Sequence, residues 1–212
     1  DFDLTPELFE KLGFRVKLEA HDSPEEASFC GNVFDRDDLQ AIRDHRPVLL
    51  KFGWSKKHQL GFSPRKRRAL LRVKALSLLH QSPGCPILAA FADWILRATS
   101  GADLRLVWRH LGMWERHELS EALHSGVRRQ TPGDATRVLF SKLYKVTPEL
   151  QVVIEKRFDS LVGLERLRPS DVGVAETRVG CMLYEFYTGF GDRRSIWPET
   201  AALPSNTARV CE

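Results

Sequence analysis

The chain reads as an α+β protein, mostly α: a short helix–strand and a β-hairpin, followed by a helical remainder. Three observations carry this. From Gly13 to Gly53, a stretch alternating apolar and charged residues leads into a Cys-Gly pair and a short capped helix. From Ser63 onward, apolar residues recur at helical spacing. Pro and Gly punctuate these segments at places where helices start and stop.

Thr5-Pro6-Glu7 is a helix start: a capping hydroxyl, a proline in the first turn and a carboxylate at the positive end of the dipole. Gly13 closes that helix. In FRVKLEA, Phe14, Val16 and Leu18 fall on one face and Arg15, Lys17 and Glu19 on the other, which predicts a half-buried strand over 14–20. A polar loop follows over His21–Glu26. SFCGNVF predicts a second strand, with Gly31 as a bulge or a point of close backbone approach. Asp35-Arg36-Asp37-Asp38 is a turn, after which LQAIR pairs back as a hairpin arm. Asp44 caps a helix over His45–Phe52, and Gly53 ends it.

Ser63-Pro64 caps a helix over Pro64–Gln81 with Leu70, Leu71, Val73, Leu76, Leu78 and Leu79 as its apolar stripe. Pro86 opens a more apolar helix to Thr99. Shorter helices are predicted near 103–111, 115–124 and 135–145, and Thr147-Pro148-Glu149 starts one to about Val162. One more is predicted within 171–189, before an irregular tail from Trp197.

Composition is that of an ordinary globular protein: 212 residues, 42% hydrophobic, 28% charged. The net charge of +4 is compatible with a nucleic-acid partner without requiring one. Cys30, Cys85, Cys181 and Cys211 are widely spaced, which argues against a metal site or disulfide framework and for a reducing compartment. No basic, apolar leader opens the chain. The most apolar run, PILAAFADWIL, is too short for a bilayer and contains Asp93, so no transmembrane segment is expected. The absence of an initiator Met suggests a piece of a larger protein or a processed product.

No P-loop, HExxH or GxSxG motif is present. Gly189-Phe190-Gly191-Asp192 follows a helical pattern and reads as a cap and turn. His110, His117 and His124 recur every seven residues, but helical metal pairs sit four apart and Gly112 interrupts the segment, so surface histidines are the plainer reading. The most basic feature is Arg65-Lys66-Arg67-Arg68 with Arg72 and Lys74, preceded by Lys51, Lys56 and Lys57 and interleaved with Phe52 and Trp54. That pattern suits phosphate contacts and base stacking. It equally suits a solvated helix face, although cations in a first turn oppose the helix dipole.

The order short helix, GFRVKLE, loop, FCGNVF, hairpin and basic helices resembles the C-terminal part of RNA-dependent RNA polymerases of positive-strand RNA viruses. The resemblance is clearest over residues 5 to about 100. In that family motif D is a helix followed by a lysine-bearing strand. Pro6–Glu19 fits it, with Lys17 the best candidate for the lysine and Lys11 a second. The implied role of Lys17 is a general acid toward the departing pyrophosphate; otherwise it is an exposed strand lysine. Motif E, a hairpin that grips the product strand, is matched by Ser28–Arg43, with Phe29-Cys30-Gly31 similar to the family's FCG form. DHRPVLLKFGW looks like the junction to a helical, basic thumb.

The resemblance implies a palm end over 1–53 and a thumb over 54–212. It implies RNA contacts at Phe29, Cys30, Gly31, Lys51, Arg65, Lys66, Arg67, Arg68, Arg72 and Lys74. The implied partners are RNA template and product strand, nucleoside triphosphates and the rest of the polymerase chain, in the host cytoplasm, including membrane-associated replication complexes. One departure matters for activity. Nothing here reads Gly-Asp-Asp, and Asp1 and Asp3 are too isolated to replace it. Mg2+ or Mn2+ would be held by residues outside this chain, which alone is not expected to polymerise. The alternative is a free-standing helical RNA-binding or adaptor domain without catalysis. A cellular α+β domain with scattered surface charge is a third option, and it leaves the order of these devices unexplained.

Overall fold

The computed structural model describes residues 5–53, 59 and 61–164. The predictions for Trp54, Lys56 and Lys57, for 171–189, for the Gly189–Asp192 turn and for the tail lie outside the described residues. Among those described, eight helices and one three-stranded antiparallel sheet form the mostly helical α+β architecture expected.

The helix α1 (Pro6–Lys11) is followed by Gly13 in the left-handed region. Residues 14–20 are not the predicted strand. Phe14, Val16 and Leu18 are 63%, 36% and 43% exposed. The alternation is there, but a strand is stabilised by a partner backbone and a covered face, and this segment has neither among the described residues.

The sheet comprises β1 (Ser28–Phe29), β2 (Asn32–Phe34) and β3 (Ala41–Arg43). Gly31 is neither a bulge nor a mid-strand contact. Cys30 and Gly31, at φ 53° and 78°, are the two central residues of a tight turn that pairs Phe29 with Asn32. Two left-handed residues match the twist of a two-residue hairpin. Val33 pairs with Ile42, and both are buried, so this small sheet has one face on the core.

Helix α2 (His45–Phe52) begins at Asp44, whose carboxylate accepts from the Arg46 amide at 3.0 Å. Helix α3 (Pro64–Gln81) is capped by Ser63. Its whole predicted stripe is buried, and so are Ala69 and Ala75. It is the central helix, packing on α4 (Leu88–Ala98), α5 (Arg105–Trp108) and α6 (Met113–Ser125). Helix α4 starts two residues after Pro86 because Ile87 takes φ 66° and gives its amide to the Glu155 carboxylate at 3.1 Å. Helices α7 (Asp134–Tyr144) and α8 (Pro148–Ser160) complete the fold. An aromatic chain links α2, α4 and α8: Phe52 meets Phe91 edge-on at 4.8 Å, Phe91 meets Phe158 at 5.5 Å, and Phe158 stacks on Trp94 at 5.8 Å. One hydrophobic core therefore runs from Val33 through the helices to Leu161.

A polar clasp holds the β2–β3 loop against α7. The Thr136 amide donates to Asp38 Oδ2 at 2.9 Å, and the Thr136 hydroxyl lies 2.5 Å from Asp35 Oδ2. The amide and then the hydroxyl of Thr136 hold the Asp38 carboxyl below its ordinary range. Asp38 thus serves as an N-terminal cap for α7 from a distant part of the chain, where the helix's own capping position is Gly133. Gly133 leaves the space that the Asp38 carboxylate occupies, and Gly84 does the same for the Gln40 side chain.

Two outcomes follow from this packing. Thr136→Val keeps the shape but deprives the buried Asp35 of its hydroxyl partner, and it should lower stability by about 1–3 kcal/mol in urea melts. Val16→Thr with Leu18→Thr should leave the melt unchanged while reducing concentration-dependent association in sedimentation, because an exposed alternating segment invites pairing between chains.

Candidate nucleic-acid interface

The hairpin turn, α2 and α3 meet along a groove of about 520 Å3. Gly31, Arg43, Asp44, Val48, Lys51 and Phe52 line one side, and Leu70, Val73, Lys74, Leu78 and Gln81 of α3 line the floor and the opposite wall. Leu111, Glu115 and Glu118 close it from the α6 side. The interior is apolar, and Arg43, Lys51 and Lys74 supply cations.

Each wall residue is placed by its element. Ile42 points into the core, so its neighbour Arg43 points the other way, toward the groove. Arg43 donates to Gln81 Oε1 at 3.3 Å, and Gln81 in turn donates to Glu118 Oε1 at 2.9 Å. Ser77 donates to the other oxygen of Glu118 at 2.5 Å. Lys74 lies 3.5 Å from the Phe52 carbonyl at the end of α2. The groove's carboxylates are also engaged. Asp44 forms a two-toothed pair with Arg46 at 2.7–3.1 Å. Burial works to raise the Asp44 carboxyl, but the hydrogen bonds and charge of Arg46 outweigh it and hold the carboxyl low. Glu115 accepts from the Gly112 amide at 2.6 Å.

Of the residues singled out from sequence, Gly31, Lys51 and Lys74 come together here, and Phe29 and Cys30 stand exposed at the adjoining turn. The rest of the basic cluster does not line the groove. Arg68 donates to the Ala98 carbonyl at 2.7 Å and Arg72 to the Leu96 carbonyl at 2.8 Å, so both cap the C-terminal end of α4. Arg67 donates to the Phe62 carbonyl at 2.9 Å. Lys66 lies over the Phe62 ring at 5.4 Å and 3.4 Å from His110 Nε2. Arg65 is exposed on the first turn of α3. Lys17 is exposed away from the groove and pairs with Glu19 at 2.6 Å. Such a surface pair adds little stability.

The groove residue that the sequence reading missed is Arg43. Its signal was present: a basic residue directly after Ile42, a β-branched apolar position of the LQAIR arm. Among the described residues, no cluster of three or more His, Cys, Asp or Glu side chains could hold a metal ion. No described helix is long and apolar enough to cross a membrane. Comparison with protein-family models, curated proteins and solved structures finds no match for this chain.

Directly behind the groove wall, the imidazole of His45 is fully buried, and neither ring nitrogen has a hydrogen-bond partner. It packs 5.4 Å from the Phe140 ring. Burial pushes the imidazole down from 6.5 to about 4, partly opposed by Asp44 and assisted by Arg46. The unfolded chain therefore binds this proton more readily than the folded one. Stability is fully present above pH 6.5 and is lost as pH falls from there toward 4. Between pH 7 and 4.5 the loss in urea melts should be smaller for His45→Leu than for the unaltered protein, by on the order of 2 kcal/mol.

Proposed function

We propose that this chain is the palm-end and thumb portion of a viral RNA-dependent RNA polymerase, and that the groove receives the backbone of the product strand. The observation that carries the reading is that the FCG turn and the first long basic helix border a single groove. Its cations come from the hairpin arm (Arg43), from α2 (Lys51) and from α3 (Lys74). A hairpin and a thumb helix that share a groove bearing three cations, set against the carboxylates of Asp44, Glu115 and Glu118, suit an RNA backbone through local phosphate contacts, which position a strand without reading its sequence.

In this reading the chain supplies grip and register, while template-directed nucleotidyl transfer takes place on aspartates outside it. Those aspartates would hold Mg2+ or Mn2+ beside the nucleoside triphosphate. Lys17 would act on the pyrophosphate only when segment 14–20 is paired with further palm strands, which accords with its exposed alternating pattern here. A second reading, a free-standing helical RNA-binding domain, is favoured by the continuous core that joins the hairpin to the helices.

The upstream reading frame separates the two. An acidic motif A and a Gly-Asp-Asp shortly before Asp1 support the polymerase; unrelated sequence there overturns it. In a polymerase that contains this chain, Lys17→Ala should lower kcat by about a hundredfold or more with little change in KM. For the chain itself, Lys51→Gln and Lys74→Gln should each weaken binding of an RNA duplex with a recessed end. They should do so uniformly across sequences, with the salt slope falling by about 1.

A further inference from the structure

The corner between α5 and α6 has features that the groove does not explain. Trp114 and Met113, in the first turn of α6, are 72% and 73% exposed, and Trp108 at the end of α5 is 38% exposed. Large indoles left open to water on one short corner mark a contact surface rather than a folding requirement. Arg105, Arg109 and Arg116 alternate with them and are exposed. The carboxylates of this corner are both occupied by backbone amides: Asp103 accepts from Arg105 at 3.0 Å and Glu115 from Gly112 at 2.6 Å. The corner therefore carries three exposed arginines and exposed indoles against two carboxylates that are already held by the backbone.

This corner is also continuous with the basic start of α3. His110 packs against Phe62 at 4.7 Å between ring centres and lies 3.4 Å from Lys66 Nζ. Lys66 therefore adds a further cation at the edge of the corner.

We infer that the α5–α6 corner binds single-stranded nucleic acid by stacking bases on Trp114 and Trp108 while Arg105 and Arg109 hold the phosphates. Base–indole stacking needs an accessible ring face, and every base offers one, so such a surface is tolerant of sequence and dependent on salt. The charge pattern selects this occupant. A purely apolar protein partner would have to desolvate the guanidinium groups, whereas a phosphate backbone pairs with them. The inference goes beyond the polymerase reading and does not depend on it, because it concerns Trp108, Trp114, Arg105 and Arg109, none of which lines the groove.

The test is fluorescence anisotropy of a labelled, unstructured RNA of about twelve nucleotides with the full chain and its Trp114→Ala, Trp114→Phe and Arg109→Gln variants. Trp114→Ala should weaken binding about tenfold and Trp114→Phe should recover most of it. Arg109→Gln should lower both affinity and salt slope. Thermal melts by circular dichroism confirm that each variant is folded. Three results overturn the inference: no binding by the unaltered chain, unchanged affinity in a folded Trp114→Ala, or equal loss in Trp114→Ala and Trp114→Phe. Unchanged affinity would reassign the corner as an apolar face for a protein partner. Failure of the duplex experiment alone, with the corner variants behaving as expected, would remove the groove proposal and leave this one standing.

Discussion

The cations at the start of α3 meet the carbonyls at the end of α4, and much of the molecule depends on that meeting. Arg68 and Arg72 project from the second and third turns of α3. The next helix returns antiparallel, so the same side chains lie at its negative end, donating to the Ala98 and Leu96 carbonyls. The contact places positive charge at the negative end of the α4 dipole. It ties α3 to α4, and that pair carries the aromatic chain through Phe91 and Trp94 on which α2 and α8 pack.

A second constraint joins the sheet to this helical body. Glu155, nearly fully buried, accepts from both Arg137 and the Ile87 amide, and so binds α8 to α7 and to the start of α4. Breaking one partner of such a cluster would leave charge uncompensated in the interior. The Asp35–Asp38 turn then docks on the α7 end that this cluster fixes. The groove inherits its shape from these contacts: its hairpin side rests on α7 through the clasp, and its helical side rests on α4 through the arginines.

Sequence legibility tracks the distance over which a signal acts. Helices α2, α3 and α8 begin at the expected Asp44, Ser63 and Thr147, because a cap and its amides lie within a few residues. The strand over 14–20 fails because pairing needs a partner that alternation cannot supply. The start of α4 moves because a carboxylate 68 residues away takes the Ile87 amide. The basic cluster is visible as charge, but its largely structural use is not, since the carbonyls it meets belong to the next helix. Of the candidate site, the turn and the lysines Lys51 and Lys74 were legible. Arg43 and the α6 wall become visible only once the elements are assembled.

The clasp also bears on the order in which the chain assembles. Its contacts join residues 98 and 101 positions apart, whereas α3, α4 and α6 meet their neighbours over much shorter spans. Closing so long a loop carries an entropic cost that only an already formed α7 can offset. The helical body is then the early unit, and the hairpin is the last piece to seat. Exchange of the amides around Val33 and Ile42 with solvent would report a partial opening of the hairpin that leaves the helices intact.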